Sequence, residues 1–216
     1  FTALSSSFGG DSDHISIQDH ADFDFGKEDF TIEFWTMGAL KSGACLTGGY
    51  VSCTNEITII SRGDNITNGW VLSYNREDRE FYWNGRDSSG NAISITYELA
   101  NTNGNPEPQN DTWYHIALMR DGATLYLFLD GVMVYGGWAA PPNGIAIGAN
   151  TVLASGGDIK IGNHATETWW NWYVDEIRVS NTAKYSASGF TPSTTAFSDG
   201  EEDTALLIHS NWKGLE

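Results

Sequence analysis

The sequence predicts an all-β fold, a two-sheet antiparallel β-sandwich in which residues 1–216 form one domain. Short segments of alternating apolar and polar residues, rich in β-branched and aromatic side chains, recur along the whole chain. Polar turn sequences containing Gly, Asn and Asp separate these segments, and helical periodicity is almost absent. A length of 216 residues is ordinary for a single sandwich of this kind.

The turn sequences divide the chain into strands. Asp121-Gly122 and Asp130-Gly131 predict two-residue hairpins, and Asn84-Gly85 and Asn143-Gly144 predict further turns. Only residues 181–188 predict a short helical turn. We predict strands at residues 14–18, 29–37, 56–62, 69–75, 80–85, 92–99, 112–120, 124–130, 132–137, 144–148, 158–162, 172–180 and 203–210.

The segment 172–180 predicts a strand with an irregularity. Val174, Ile177 and Val179 are all apolar, but positions 174 and 177 have opposite parity. A regular strand would turn these two side chains to opposite faces of the sheet. We therefore predict a β-bulge near Asp175–Glu176, which would bring all three apolar side chains to one face.

The charge balance restricts the classes of partner. The chain has 11 Lys and Arg against 28 Asp and Glu, a formal net charge of −17. Nucleic acids and anionic membranes bind to basic patches, so neither is expected as a partner. The excess of acid indicates solubility in a salty medium or sites for divalent cations. No apolar stretch predicts a membrane span, and a start at Phe1 is typical of a processed product or a piece of a longer protein.

Two cysteines, Cys45 and Cys53, lie symmetrically about Gly49. A hairpin with a three-residue loop at residues 48–50 would place them opposite each other in an antiparallel ladder. Facing residues in such a ladder have Cα atoms about 4.5–5.5 Å apart, which is within disulfide range. We expect a disulfide and an oxidising compartment. The alternative is a pair of buried free thiols.

Four segments together resemble one known family. They are "SSSFGGDSDHISIQDHADFDFGKEDFTIEFW", "TIISRGDNITNGWVLSYN", "DTWYHIALMRDGATLYLFLDGVMV" and the ending from "IKIGNH" through "WWNWYVDEIRVSNTAKYSASGFTPSTTAF" to "DTALLIH". In this combination the chain resembles laminin-G-like, concanavalin A-like jelly-roll domains, in the form found in phage virion and secreted bacterial proteins. The resemblance implies a jelly-roll sandwich and an extracellular or virion-surface location.

Some concanavalin A-like relatives are glycoside hydrolases, which need two carboxyl groups at a fixed separation. Those relatives carry a Glu-x-Asp-x-x-Glu strand. In this chain Glu201-x-Asp203 is the only Glu-x-Asp, and Leu206 occupies the position of the third acid. The histidines have no metal-ligand spacing, and His115 is expected in the core or half-buried. We therefore expect no catalytic residues and no enzyme activity.

The resemblance also implies a bound Ca²⁺, because laminin-G-like domains often hold one with oxygen ligands from loops. Two sites remain open. The first pairs Asp11 and Asp13 with Asp175. The second is a rim formed by Asp64, Asn65, Asn163 and Glu167.

Aromatic residues in the loops indicate a non-catalytic, lectin-like carbohydrate-binding module. Sugars pack their C–H faces on flat aromatic rings, and polar side chains bind the hydroxyl groups. Trp170 lies where the family carries a core aromatic, so we expect it inside the sandwich. The candidate ligand-binding residues are Trp83, Asn84, Trp138, Trp169 and Trp172.

An alternative function is a structural decoration or appendage subunit of a virion or surface assembly. In that case the exposed aromatic side chains would be buried against neighbouring protein subunits instead of a glycan.

Overall fold

The computed structural model is a sandwich of two antiparallel sheets. The structure describes residues 6–8, 14–38, 56–63, 68–75, 80–98, 109, 111–134, 144–149, 151, 153, 156–162, 172–198 and 200–209. The strands are β1 (Ser6–Phe8), β2 (Ile15–Ile17), β3 (Phe30–Gly38), β4 (Glu56–Gly63), β5 (Gly69–Asn75), β6 (Glu80–Arg86), β7 (Ala92–Glu98), β8 (Tyr114–Asp121), β9 (Thr124–Leu129), β10 (Val132–Met133), β11 (Ile145–Ala146), β12 (Ile159–Ile161), β13 (Trp172–Ser180) and β14 (Thr204–Ile208).

The strand order confirms the predicted two-sheet antiparallel sandwich. An eight-stranded sheet has the order β1-β13-β3-β8-β9-β10, with β11 beside β9 and β14 beside β13. A six-stranded sheet has the order β2-β12-β4-β5-β6-β7. The pairs of neighbouring strands are antiparallel in both sheets.

Each predicted strand corresponds to one strand of the structure, and β5 and β13 begin and end at the predicted residues. The sequence patterns did not predict β1 or the 3₁₀ turn at Ala21–Phe23. The helical turn predicted at 181–188 is wrong, because these residues form bends and a turn. None of the described residues forms a helix with the length and apolar character needed to cross a membrane.

The hairpin predicted at Asp130-Gly131 is confirmed. Its two loop residues have φ angles of +50° and +74°, as a type I′ turn requires. The turn predicted at Asn84-Gly85 is wrong, because both residues lie inside β6 and pair with β5 and β7.

The core between the sheets follows from the alternation of side chains along each strand. Trp70, Leu72 and Tyr74 of β5 point inward, and so do Phe81 and Trp83 of β6. Full burial of a side chain of this size contributes about 1.5–3 kcal/mol of transfer free energy. Large aromatic rings of the six-stranded sheet therefore supply much of the core.

The β-bulge predicted in β13 is confirmed. The pairing of β13 with β3 shifts between Asp175 and Arg178, and Glu176 has a φ of +52°. The shift allows Val174, Ile177 and Val179 all to enter the core, as the prediction required. The carboxylate of Glu176 accepts a hydrogen bond from the backbone amide of Phe197, at 2.7 Å.

Residues 181–198, the covering segment, lie over the outward face of the eight-stranded sheet. Phe190 and Tyr185 pack there against a second, small apolar cluster that includes Met119 and Phe128. Phe190 also contacts the ring of His115 edge-on, with centroids 5.6 Å apart. The outward face of this sheet is therefore an interior surface at β3, β8 and β13.

Two buried arginines, one from each sheet, anchor residues 19–26 at one end of the sandwich. Arg62 of β4 donates to the carbonyl oxygen of Phe23 and to the carboxylates of Asp19 and Asp24, each at 2.6 Å. Arg120 of β8 donates to the carbonyl oxygen of Gly26, at 3.1 Å. The segment is thus fixed to both sheets by charged donors.

Candidate functional site

The outward face of the six-stranded sheet carries the candidate functional site. In β6, Phe81 and Trp83 belong to the core, so Tyr82 and Asn84 point outward by alternation. In β7, Ile95 is buried in the core, and Ser94 and Thr96 point outward. This face carries mainly polar side chains, and those of β6 and β7 are half-buried or exposed. The outward face of the other sheet is closed by the covering segment at β3, β8 and β13.

Cross-strand pairing aligns outward residues in a row that crosses all six strands. The polar row consists, in order from β2 to β7, of Ser16, Lys160, Ser61, Val71, Asn84 and Ser94. A second, shorter row consists of Thr58, Ser73, Tyr82 and Thr96. Apart from Val71 and the ring of Tyr82, these side chains offer hydroxyl, amide or ammonium groups.

Exposure divides this face into a closed middle and open ends. Ser61, Val71 and Ser73 are buried, whereas Asn84 and Tyr82 are half-buried. Ser94 on β7 is exposed, and Thr96 is half-buried. The four residues Tyr82, Asn84, Ser94 and Thr96 form what we call the β6–β7 end of the face.

The β6–β7 end combines one flat aromatic ring with an amide and two hydroxyls. Asn84 is paired with Ser94 across the two strands, and Tyr82 is paired with Thr96. Facing Cβ atoms in such pairs are about 4.5–5.5 Å apart. A small hydroxylated ring can therefore contact several of these groups at once, with the Tyr82 ring as the stacking surface.

The turn that joins β6 to β7 is held by Asp87. Its carboxylate accepts hydrogen bonds from the backbone amides of Ser89 and Asn91, at 2.9 and 2.8 Å, and from the Asn91 side chain, at 2.8 Å. These bonds, led by that of the Asn91 side chain, hold the pKa of Asp87 below its usual value. The turn therefore fixes the relative position of the two strands that carry the site.

Among the predicted ligand-binding residues, Asn84 lies on this face and Trp83 does not. The prediction for Trp83 is wrong, because its ring is completely buried between the sheets. A Cβ on the neighbouring Gly85 would come within 2.5 Å of that ring. Tyr82 lies on this face but was not among the predicted ligand-binding residues. The period-two alternation of β6, which puts residues 82 and 84 on the same face, was the signal that could have identified it.

Trp138, Trp169 and the expected core residue Trp170 lie outside the described residues. The backbone of Trp172 begins β13, where it pairs with Phe8 of β1 and Gly38 of β3.

Most candidate calcium ligands also lie outside the described residues, and so do both cysteines. These residues are Asp11, Asp13, Asp64, Asn65, Asn163, Glu167, Cys45 and Cys53. Asp175 is described: it is buried, and its carboxylate accepts the backbone amide of Glu176 at 2.8 Å. The described part of the chain contains no group of three or more His, Cys, Asp or Glu placed to hold a metal ion.

A buried charged cluster lies beneath the covering segment. Glu33 accepts a hydrogen bond from Nε of Arg178 at 2.8 Å, and its other oxygen lies 3.0 Å from Nε2 of His115. Tyr185 donates its hydroxyl to the same carboxylate. Burial opposes ionisation of Glu33, but the hydrogen bond from His115 and the charge of Arg178 outweigh it and lower the pKa of Glu33.

The buried charged cluster also includes Glu201 and Asp203, the acid pair compared above with the Glu-x-Asp-x-x-Glu strand of glycoside hydrolases. Asp203 and Glu201 both bind the ammonium group of Lys184, and Glu201 also binds Arg178 at 3.1 Å. His115 is completely buried, as expected, but it lies beneath the covering segment rather than between the two sheets. These groups fix the covering segment and β14 to the sheet.

Comparison with solved structures finds the same fold in binding domains and in an enzyme. The binding domain of Paraclostridial Mosquitocidal Protein 1 has 18% sequence identity and a TM-score of 0.60, covering 82% of this chain and 39% of the other. For the botulinum neurotoxin serotype G binding domain the values are 18% and 0.56, covering 85% and 44%. Trypanosoma rangeli sialidase in complex with sialic acid gives 13% and 0.51, covering 84% and 26%.

The chain therefore spans less than half the length of these structures, and at such identities the similarity establishes the fold. No curated protein matches the sequence. The family model for Laminin_G_3, described as the concanavalin A-like lectin/glucanases superfamily, matches residues 8–188. The chain, a sandwich of two antiparallel sheets, therefore belongs to the Laminin_G_3 family of concanavalin A-like lectin/glucanase domains.

Proposed function

We propose that this chain is a non-catalytic carbohydrate-binding module of an extracellular or virion-surface protein, and that it holds a glycan at the β6–β7 end of the six-stranded sheet. The observation that carries the proposal is the contrast between the two outward faces. The covering segment packs on the eight-stranded sheet, whereas Tyr82, Asn84 and Ser94 of the six-stranded sheet are half-buried or exposed.

The chemistry of these side chains supports a sugar ligand. The ring of Tyr82 offers a stacking surface for C–H groups, and the amide of Asn84 can both donate to and accept from hydroxyl groups. The hydroxyl groups of Ser94 and Thr96 have the same double capacity. Binding sites for small polar ligands combine such a surface with a few placed polar groups.

The similar solved structures support a binding role in general, without specifying the ligand. Two of the similar structures are named as binding domains, and a third as the receptor binding domain of botulinum neurotoxin D. The ion pairs of Glu201 and Asp203 with Lys184 support a structural role for this acid pair rather than a catalytic one.

A glycan panel tests the proposal. We expect the wild-type chain to bind at least one class of polysaccharide, and Asn84→Ala and Tyr82→Ala to weaken that binding about tenfold or more, the loss of about 1.4 kcal/mol. Asn181→Ala is the matched control, because Asn181 is exposed at the end of β13. Unchanged affinity in both site variants would place the ligand elsewhere. A stable oligomer that binds no glycan would support the structural-subunit alternative.

A further inference from the structure

The covering segment, residues 181–198, is attached to the rest of the chain mainly through side chains. The structure describes every residue of the segment, and none of them lies in a strand or helix. Two backbone-to-backbone hydrogen bonds join it to other described elements. The amide of Asn181 donates to the carbonyl oxygen of Asp203 at 2.8 Å, and the amide of Phe190 donates to that of Gly131 at 3.0 Å. A segment held in this way can open locally without breaking a strand ladder.

The apolar contacts of the covering segment are separate from the main core. The cluster between the two sheets includes no residue of 181–198. Tyr185 and Phe190 pack instead on the second cluster, which includes Met119 and Phe128 on the outward face of the eight-stranded sheet. Release of the segment would therefore expose this second cluster and leave the core between the sheets closed.

Three carboxylates outside the covering segment hold its first part in place. Tyr185 donates its hydroxyl to Glu33 of β3, and the ammonium group of Lys184 binds Glu201 and Asp203. Lys184 is the only charged residue within 181–198. Acid therefore leaves the charge of the segment itself unchanged and acts on the carboxylates that bind it.

Other charged and titratable groups lie at or beside this contact on the neighbouring elements. They are His115 of β8, Asp130 of the β9–β10 hairpin, Asp175, Glu176 and Arg178 of β13, and His209 after β14. Arg178 donates to Glu33 at 2.8 Å, and its guanidinium group stays charged at every accessible pH. The ring of Phe197 covers that group, with its centroid 4.1 Å away. Protonation of Glu33 therefore leaves a buried positive charge beneath the segment without its closest partner.

We propose that the covering segment is an acid-released strap. When Glu33 and Asp203 take up protons, residues 181–198 detach from the eight-stranded sheet as a unit, while the core between the two sheets stays folded. Detachment makes the apolar side chains of Met119 and Phe128 accessible to solvent or to an apolar partner.

The ionisation of the two carboxyl groups supports the direction of this response. Burial opposes ionisation of Glu33, but the hydrogen bond from His115 and the charge of Arg178 outweigh it, so the pKa of Glu33 is lowered. The hydrogen bond from Lys184 lowers the pKa of Asp203. Both contributions are present above the unfolded values of about 4.3 and 3.9 and are lost as the pH falls through the lower folded values. Release is therefore expected below about pH 4.

Hydrogen exchange followed by mass spectrometry tests the inference on the wild-type chain, from neutral to strongly acid pH. Protection factors of peptides from 181–198 are compared with those of β5, whose large side chains belong to the main core. We expect the covering segment to lose protection by about tenfold or more, the effect of one pKa unit, at a pH at which β5 keeps it. The fluorescence of anilinonaphthalene sulfonate, a dye that binds exposed apolar surface, should rise in the same step.

A variant that imitates the protonated state assigns the release to these carboxyl groups. Glu33→Gln combined with Asp203→Asn should lower the protection of 181–198 at neutral pH by about tenfold or more and flatten its dependence on pH. Glu202→Gln is the matched control, because Glu202 is exposed and lies next to Asp203 in the sequence. Protection in the double variant that equals that of the control would overturn the inference.

Phe190→Ala provides a second test, which holds even where the double variant does not fold. It removes an apolar contact of the covering segment and no acid, so the segment should open at a higher pH than in wild type while β5 keeps its protection. Loss of protection in the segment and in β5 at one and the same pH would overturn the inference, because the segment would then not be a separate unit. Opening of the segment without a rise in dye fluorescence would also overturn it.

Discussion

Trp83 and Asn84 are consecutive residues of β6 whose side chains lie on opposite faces of the six-stranded sheet. Trp83 is completely buried in the core, and Asn84 is half-buried on the outward face. Trp83→Ala is therefore expected to lower the free energy of unfolding by about 3–5 kcal/mol, the usual cost of emptying a core aromatic site. Asn84→Ala should change stability by less than about 1 kcal/mol, as is usual for surface substitutions, while weakening glycan binding. Denaturant titration and binding assays on the two variants distinguish these roles.

The neighbouring glycine offers a test of the same packing. A methyl group at Gly85 would overlap the Trp83 ring, whose nearest atom would lie 2.5 Å away. Gly85→Ala should therefore destabilise the chain by about 1–3 kcal/mol, as overpacked cores do. Gly90→Ala serves for comparison, because a Cβ there meets nothing within 4 Å and only the positive φ opposes it. A neutral Gly85→Ala variant would show that the ring has room to move.

Acid should weaken the contact between the covering segment and the sheet through Glu33. Its pKa is lowered in the folded state, so its stabilising contribution is present above the unfolded pKa of about 4.3. That contribution is lost as the pH falls through the lower folded pKa. Glu33→Gln should cost about 3–5 kcal/mol at neutral pH, because it leaves Arg178 without its buried partner, and should flatten the acid limb of the stability curve.

Urea unfolding at a series of pH values measures this effect. Glu202→Gln is the control, since Glu202 is exposed and next to the cluster in sequence. Equal pH dependence in wild type and Glu33→Gln would contradict the assigned role of Glu33.

Arg62 should be required to anchor residues 19–26. Its hydrogen bond is the main cause that lowers the pKa of Asp19. In Arg62→Met the pKa of Asp19 should rise toward its ordinary value. Loss of the buried hydrogen bond from Arg62 to the carbonyl oxygen of Phe23 should lower the free energy of unfolding by about 1.5–3 kcal/mol, the value of one hydrogen bond from a charged group. NMR titration of Asp19 and denaturant unfolding measure the two effects. An unchanged Asp19 titration would show that the bond does not form in solution.

One Ca²⁺ is expected to raise the thermal midpoint. At a free concentration a hundredfold above the dissociation constant, the gain is about 2.7 kcal/mol. Melting curves in EDTA and in millimolar calcium measure it, and the increment is compared in Asp175→Asn and Asp64→Asn. Loss of the increment only in Asp175→Asn assigns the first candidate site, and loss only in Asp64→Asn assigns the second. Identical melting curves with and without calcium would refute the site.

A disulfide between Cys45 and Cys53 is expected to contribute about 2–3 kcal/mol, the chain-entropy value for so short a loop. Intact mass after denaturing alkylation, with and without prior reduction, measures it. Two alkylated thiols in the unreduced sample would disprove the bond.

The sequence patterns predicted the strands well because alternation reports which side chains share a face. Opposite parity of Val174 and Ile177 was enough to locate the bulge that the structure has between Asp175 and Arg178. The same alternation, applied to β6, places Trp83 and Asn84 on opposite faces of the sheet. The prediction of Trp83 as a ligand-binding residue is wrong because the turn propensity of Asn84-Gly85 was given more weight than the strand periodicity.

Alternation does not report whether an outward face is covered by a distant part of the chain. Glu33 occupies an outward position on β3 and would be expected in solvent from alternation alone, yet it is completely buried. Tyr185, which donates its hydroxyl to the Glu33 carboxylate, follows Glu33 by 152 positions in the sequence. Such long-range contacts have no local signature in the sequence.

The unequal covering of the two sheets determines where this domain can serve as an engineering scaffold. Randomised libraries at positions 82, 84, 94 and 96 would vary half-buried or exposed side chains and leave the hydrophobic interior intact. Libraries at the equivalent outward positions 33, 115 and 178 would disrupt a buried network. Directed evolution of new specificity should therefore retain folded clones from the first library and lose most of them from the second.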